Sequence, residues 1–314
     1  MVIKVGIAGI SEGNGHPFSF SAIINGYNDT KLTEAGWPVI SNYLRNAPSG
    51  QDGIPGAQVT HAWTQDSITT AKLCAASKIE NGCENLNDML HEIDALIIAR
   101  DDWRQHYKLA KPFLDKGIPV FIDKPLTLDE SEINYFLPFM ESGKLMSCSG
   151  FRYASELVDI DNVKLATGDL KLISGTVIND LTKYGIHLLE AISHFNKVIA
   201  ESVEVTRNFF DHDSYSFKFS PGTSFNLDCL GDVKKVFHLS LYGDSGSVHF
   251  DLEDNFSAFK KTLESFFEMV LTGKPPFDPR ETIQLMRILM AAKNLAKGES
   301  IHLDFNESKI LTRS

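Results

Sequence analysis

Three short stretches of the sequence bring together residue types that could do chemistry. The first is Gly9-Ile10-Ser11-Glu12-Gly13-Asn14-Gly15, directly after the apolar run Ile3 to Ala8. Glycines at a strand end let the backbone come close to a pyrophosphate, and a helix that starts there offers main-chain N–H groups and the positive end of its dipole. Gly9, Ser11, Gly13 and Asn14 are therefore candidate phosphate contacts, although Ser11 stands where a G-x-G-x-x-G turn has its second glycine. A glycine-rich loop capping a structural helix would read the same way. At the end of the next strand, where an acid can hold a ribose hydroxyl, Thr64 occupies the natural place and Asp66 lies two residues on. Asp66 serves equally well as a helix N-cap.

The second stretch is Asp123-Lys124-Pro125, right after the apolar run Pro119 to Ile122. Proline biases the residue before it toward extended geometry, so the Lys124 ammonium should project at the carboxyl edge of a sheet, where ligands bind in open α/β folds. The third is Lys183-Tyr184-Gly185-Ile186-His187-Leu188-Leu189-Glu190. On a helix Lys183 and His187 share a face, and imidazole titrates near neutral pH. A metal cluster of His187, Glu190 and His194 is conceivable, but three such residues over two turns converge poorly, and no metal is expected. Tyr107-x-x-x-Lys111 matches a short-chain dehydrogenase spacing but stands too early in the chain for that fold.

These residues need elements to place them. Ile3 to Ala8, Gln58 to Trp63, Asp94 to Ala99, Pro119 to Ile122 and Leu145 to Phe151 read as strands, and Phe18 to Ile24, Ile68 to Lys78, His106 to Lys116 and Glu130 to Glu141 as helices. Strand–helix alternation with continuous apolar runs argues a doubly wound parallel sheet. The connection Asn28 to Ala57, with a short helix over Pro38 to Asn46, is far longer than the usual 2–6 residues; it is expected on the sheet edge away from the ligand crevice. The second half alternates apolar and polar residues over Leu170 to Ile178, Glu201 to Phe210, Tyr215 to Phe219, Thr223 to Cys229, Val233 to Tyr242 and Gly246 to Leu252. That pattern suits an antiparallel sheet with one wet face, completed by helices over Tyr184 to Phe195, Phe259 to Leu271 and Arg280 to Lys297. The expected division is a dinucleotide-binding α/β domain over 1–150 and an α+β domain over 151–314.

In this order the segments resemble the Gfo/Idh/MocA oxidoreductase family, nearly end to end. Val5 to Gly9 is similar to its first strand, Asp94 to Ala99 with His106 to its strand-and-His segment, and Asp123-Lys124-Pro125 to its E-K-P motif. Gly150-Phe151-Arg152-Tyr153 resembles its aromatic-flanked arginine, Gly185-x-His187-x-x-Glu190 its G-x-H-x-x-D, and Lys274 to Pro279 and the helix ending Lys297-Gly298 its C-terminal segment. The resemblance implies a Rossmann domain, an α+β domain with a large open, mainly antiparallel sheet, and NAD or NADP. It adds Arg100, His106, Asp123 and Lys124 to the cofactor contacts, names Lys124 and His187 as catalytic, and puts Arg152, Tyr153 and Tyr184 beside a sugar-like substrate. Many members are dimers or tetramers through the open sheet. The family usually carries an Asp four residues before the catalytic His; here that residue is Lys183, either a second base or an anchor for an anionic substrate. Asp66 and the lack of a nearby Arg or Lys tilt the cofactor toward NAD.

Composition sets the outer limits. The 314 residues carry 30 Lys+Arg against 41 Asp+Glu, a formal net charge of −11, which repels phosphate backbones and argues against nucleic acid as partner. No long apolar stretch or basic leader is evident, so a cytoplasmic protein without a membrane span is expected. The four cysteines lack metal-ligand spacing and read as small buried hydrophobes. Two functions fit: a dehydrogenase acting on a sugar-like alcohol, or a sugar or nucleotide sensor that kept the fold and lost turnover, a reading that Lys183 favours.

Overall fold

The computed structural model describes residues 2–47, 53–157, 159–195, 200–209, 211–220, 222–306 and 312–313. The first stretch builds β1 (Ile3–Ala8), α1 (His16–Asn25), α2 (Asp29–Glu34), α3 (Pro38–Arg45), β2 (Ala57–Trp63), α4 (Ser67–Ser77), β3 (Asn81–Gly82), β4 (Ala95–Ile98), α5 (His106–Leu114), β5 (Val120–Asp123), α6 (Glu130–Glu141) and β6 (Leu145–Cys148). The strands form one sheet in the order β3-β2-β1-β4-β5-β6, parallel throughout. β4, β5 and β6 are buried at every residue, as a parallel sheet covered on both faces requires. The chain leaves β1 to one side for β2 and returns to its other side for β4, so the strand order reverses next to β1. Such a reversal opens a crevice at the carboxyl ends of the strands.

The second stretch contributes α7 (Ile160–Thr167), β7 (Leu170–Val177), α8 (Ile186–Ala191), β8 (Ser202–Phe209), β9 (Asp213–Ser220), β10 (Ser224–Cys229), β11 (Phe237–Gly243), β12 (Ser247–Asp251), α9 (Asn255–Thr272), α10 (Pro279–Lys293), β13 (Ser300–Asp304) and β14 (Thr312–Arg313). Its sheet runs β12-β11-β7-β10-β9-β8-β13-β14. All its pairs are antiparallel except β7 with β10. Burial alternates along β9 and β10, with Tyr215, Phe217, Phe219, Phe225, Leu227 and Cys229 inward; one face is packed and the other polar.

The chain separates into two compact units, Met1–Cys148 with Asn255–Pro279 and Ser149–Asp254 with Arg280–Ser314. A single cut near residue 150 therefore misplaces α9. The reason is aromatic packing: Phe259 sits edge-on to Phe20 at 5.3 Å, and Phe266 tilts against Phe121 at 5.8 Å. Phe20 and Phe121 belong to the first unit, and α9 returns to cover them.

The long connection after α1 also departs from expectation. α2 and α3 pack against α4 and α1, and Trp37 and Ile40 lie against Gly15, where a Cβ would come within 2.6 Å and 2.7 Å of their side chains. The insertion thus reaches the N-terminal end of α1, beside the glycine turn, rather than the opposite edge. Ile40 is buried and Trp37 half-buried there because Gly15 leaves them room.

Candidate active site

In the first unit, the turn after β1 is held by its neighbours. Gly9 takes φ +80, a conformation glycine adopts freely, and the Arg100 side chain covers it; a Cβ there would meet Arg100 Cδ at 2.3 Å. Gln65 clamps the next residue twice, accepting from Ile10 N at 3.0 Å and donating to Ile10 O at 2.6 Å. Ser11 Oγ donates to Asp101 at 2.5 Å, so the side chain at the missing-glycine position serves the loop after β4. Gly13, at φ +73, has no atom within 4 Å of where its Cβ would be, and there the turn stays open.

The helix terminus offers less than the sequence suggests. His16 N donates to Asn14 Oδ1 at 2.8 Å, and Pro17, in the first helical positions, has no N–H at all. What gathers there instead is a buried polar cluster. Asp123 Oδ2 accepts from Asn14 Nδ2 at 3.2 Å and lies 2.6 Å from His16 Nδ1; Asp123 Oδ1 accepts from Lys124 N at 3.0 Å. Burial alone would raise the Asp123 carboxyl, but His16, Lys124 and the Asn14 amide outweigh it and hold it below the usual carboxylate range. His16, stacked on Phe20 at 5.0 Å, is a member of this cluster that sequence reasoning missed; its place at a helix start carries no pattern that points to Asp123. Lys124 follows at the carboxyl end of β5, 3 % exposed, its bond to Pro125 cis.

Four expected cofactor contacts have other work in the structure. His106 is fully buried, with Nδ1 2.9 Å from Leu126 O and Nε2 3.0 Å from Arg100 O. Both ring nitrogens face main-chain carbonyls, so His106 ties the loops after β4 and β5 together and leaves no nitrogen for a ligand. Thr64 Oγ1 donates to Asp66 O and meets Thr70 Oγ1 at 2.8 Å. Asp66 is the N-cap of α4, accepting from Thr69 N and Oγ1, and those bonds keep its carboxyl low. Arg100 Nε donates to Asp102 at 2.6 Å. Beside them, Trp63, Thr64, Gln65, Ser67, Gly82 and Asn85 line part of a cleft of about 600 Å³ at the ends of β2 and β3. Its size suits a nucleoside, and with the open backbone at Gly13 it fits a dinucleotide laid along this sheet edge.

The second unit holds the other candidate residues. β6 ends at Cys148, and Ser149 caps a tight turn over Gly150–Tyr153, its Oγ accepting from Phe151 N at 3.1 Å. The expected strand to Phe151 therefore stops short, because the serine side chain offers the backbone an alternative partner. Ser149 Oγ also lies 2.6 Å from His187 Nδ1. The His187 ring is packed by Phe151 at 5.4 Å, Phe237 at 5.5 Å and Tyr184 at 6.1 Å, and it is 9 % exposed. Sequence reasoning found His187 but not Ser149, since nothing in a separation of 38 residues signals their contact.

Lys183 and Tyr184 lie in a wide π turn over Leu181–Gly185 that precedes α8, capped by Asp180 through Thr182 N and Lys183 N. The expected continuous helix from Tyr184 is thus a π turn, then α8, then a tighter turn over Ile192–His194. Gly185 allows it: a Cβ there would press on Leu181 and Leu227 at 2.9 Å and 3.1 Å. Such π turns are frequent at functional sites. Lys183 and Tyr184 are half-buried, as is Tyr153.

Arg152 differs from expectation. Its Nε donates to Glu190 at 2.6 Å and its Nη1 to Glu281 at 2.6 Å, with Arg152 and Glu190 both buried. Held between two carboxylates, the guanidinium is an internal brace that ties the Gly150–Tyr153 turn to α8 and α10. Burial pushes the Glu190 carboxyl up, and Arg152 only partly offsets this. Among the described residues, no group of three His, Cys, Asp or Glu is arranged to hold a metal ion, and no helix is long and apolar enough to cross a membrane.

The sequence profile described as the oxidoreductase family with an NAD-binding Rossmann fold, Gfo/Idh/MocA, matches residues 40–146. No curated protein matches the sequence. Among solved structures, a myo-inositol dehydrogenase from Corynebacterium glutamicum superposes with TM-score 0.70 at 16% identity, over 98% of this chain and 100% of that one. A scyllo-inositol dehydrogenase from Lactobacillus casei, solved with NAD(H) and scyllo-inositol, gives 0.68 at 16% identity over 93% and 96%. A protein of gentamicin A biosynthesis, solved with NAD, gives 0.72 at 14% over 97% of each. At these identities the likeness is one of fold. The chain is thus similar by sequence to the Gfo/Idh/MocA oxidoreductase family over residues 40–146, and by fold to these dehydrogenases over nearly its whole length.

Proposed function

We propose that the protein interconverts an alcohol and a ketone on a sugar-like substrate, with NAD or NADP as hydride carrier. The observation that carries this reading is Lys124, buried at the carboxyl end of β5 in a sheet of NAD-binding Rossmann type. Burying an ammonium is costly, and a role toward a substrate oxygen accounts for keeping one at the ligand edge. A nicotinamide ring, when bound, gives or takes the hydride. Lys124 Nζ donates a hydrogen bond to the substrate oxygen and stabilises the negative charge that develops on it. His187, in the second unit, is the proton carrier in this reading, the contribution of such groups being typically 10²–10⁴-fold in rate. Tyr153 and Tyr184 contact the substrate. Gly9, Ser11, Gly13 and Asn14 line the dinucleotide's path; Arg100 and Asp123 shape it from behind.

Two of the structural neighbours act on inositols by name, which supports a neutral ring polyol or sugar. An anionic substrate rests on Lys183 alone now that Arg152 is neutralised within the fold. NAD is favoured over NADP because Asp66 opposes a 2′-phosphate at the end of β2. The polar outer face of the second sheet, alternately exposed along β12, is the surface through which a homo-dimer or homo-tetramer would form. Calorimetry with NAD, NADH, NADP and NADPH is the first test, followed by reduced-nicotinamide absorbance with inositols, sugars and sugar acids. Nucleotide binding without turnover on any of them favours a sensor; no binding by folded protein ends the oxidoreductase reading. Lys183→Met distinguishes its roles: a larger loss in kcat/KM for sugar acids than for polyols marks an anion anchor, equal losses a base.

A further inference from the structure

We infer that Ser149 is a positioning residue that fixes which nitrogen of His187 carries the proton, so that the neutral ring presents an N–H at Nε2. The inference starts from a count of hydrogen-bonding capacity. A serine hydroxyl has one donor and two acceptor sites. As the cap of the Gly150–Tyr153 turn, Ser149 Oγ already accepts from Phe151 N at 3.1 Å. Its own O–H needs an acceptor, because the residue is fully buried. His187 Nδ1, 2.6 Å away, is the one the described contacts provide.

A neutral imidazole has one N–H and one bare nitrogen. With Ser149 O–H directed at Nδ1, Nδ1 is the bare nitrogen and the ring proton sits on Nε2. The opposite tautomer would place Nδ1–H against Ser149 Oγ, which would then accept twice while its O–H lost its acceptor in a dry site. Stranding a buried hydroxyl in this way disfavours that tautomer by roughly tenfold to a hundredfold. The ring cannot escape by flipping over, because Phe237 meets it edge-on and Phe151 packs on it as well.

The consequence deepens the proposed function and rests on it. His187, in its neutral form, meets a substrate oxygen as a donor. It polarises a ketone or holds an alcohol oxygen, and the bare Nε2 that proton abstraction requires is the disfavoured tautomer. Proton exchange at Nε2 therefore runs, in both directions, between the imidazolium and the disfavoured Nδ1–H tautomer, while the favoured tautomer serves as a hydrogen-bond donor. A carboxylate partner at Nδ1 would favour the opposite tautomer, since it accepts a proton and cannot give one.

The experiment reads the ring directly. Nitrogen NMR of the full chain labelled at histidine, at a pH where His187 is neutral, distinguishes a protonated from a bare ring nitrogen without substrate or nucleotide. The expected result is a bare Nδ1 and a protonated Nε2 for His187, assigned by its loss in His187→Gln. Ser149→Ala should shift the ring to a mixture of tautomers and Ser149→Thr, which keeps the hydroxyl, should restore it. A proton on Nδ1 in the unaltered protein, or the same tautomer with and without the hydroxyl, overturns the inference. The wild-type spectrum decides even if Ser149→Ala does not fold. Absence of nicotinamide turnover would refute the proposed activity while leaving the tautomer measurement standing, so the two failures are separable.

Discussion

Arg152→Ala separates a brace from a substrate ligand, and the structure sets the size of its effect. Arg152 joins Glu190 and Glu281 at 2.6 Å each, with Glu190 1 % exposed and the Glu281 side chain 21 %. Removing one partner of a buried ion pair typically costs about 3–5 kcal/mol, since a charge stays behind without compensation. Glu281 can turn to water; Glu190 cannot. It escapes by taking a proton, which its raised pKa already favours, and this fixes the pH dependence. A carboxyl whose folded pKa lies above its unfolded value of about 4.3 is stabilising when protonated, and that stability is lost as pH rises through the folded value. Without Arg152 the folded pKa rises further, so the variant should weaken with pH, by at most about 1.4 kcal/mol per unit. Urea unfolding at pH 6 and 8 checks this. All three tryptophans, Trp37, Trp63 and Trp103, lie in the first unit, so unfolding of the second must be followed by circular dichroism. The expected outcome is a loss of about 3–5 kcal/mol, larger at pH 8, and partial recovery in Arg152→Met with Glu190→Gln. Unchanged stability with a raised KM would refute the brace and return Arg152 to the substrate.

Lys124→Ala and His187→Ala should each lower kcat by roughly 10²–10⁴-fold while both units stay folded; activity above a tenth of the parent's for His187→Ala would move the proton to Tyr184 or Lys183. Gly15→Ala should destabilise the first unit by about 1–3 kcal/mol through overpacking, because its Cβ would meet Trp37 at 2.6 Å and Ile40 at 2.7 Å; tryptophan fluorescence during unfolding is the readout, and an unchanged midpoint would mean that α3 moves aside freely.

Much of the fold was legible because its signals are local. Continuous apolar runs marked β4 and β5, alternation marked β9 and β10, and Glu130–Glu141 was readable to the residue because Asp129 caps it with two main-chain bonds. Short pieces with little periodicity escaped notice: α7, the two-residue β3, and β13. The helix around His187 was misread for a related reason. The π turn depends on Gly185 fitting against Leu227 of β10, a contact that no helical period contains.

The candidate site divides along the same line. Residue type and position along the chain were enough to single out Gly9, Lys124 and His187, because a glycine turn, a lysine before proline at a strand end and a histidine on a helix each carry their chemistry in a few adjacent residues. What those residues touch was decided by the tertiary structure. His106, Thr64 and Asp66 have the right types for a cofactor site, yet each is held by main-chain or side-chain partners in the fold. Arg152 became a brace because α8 and α10 bring Glu190 and Glu281 to it, from 38 and 129 residues away. Ser149 gained its place beside His187 in the same way. Hydrogen bonds and ion pairs act over about 3 Å, and at that range the neighbours of a side chain are set by how elements pack, not by their order in the chain.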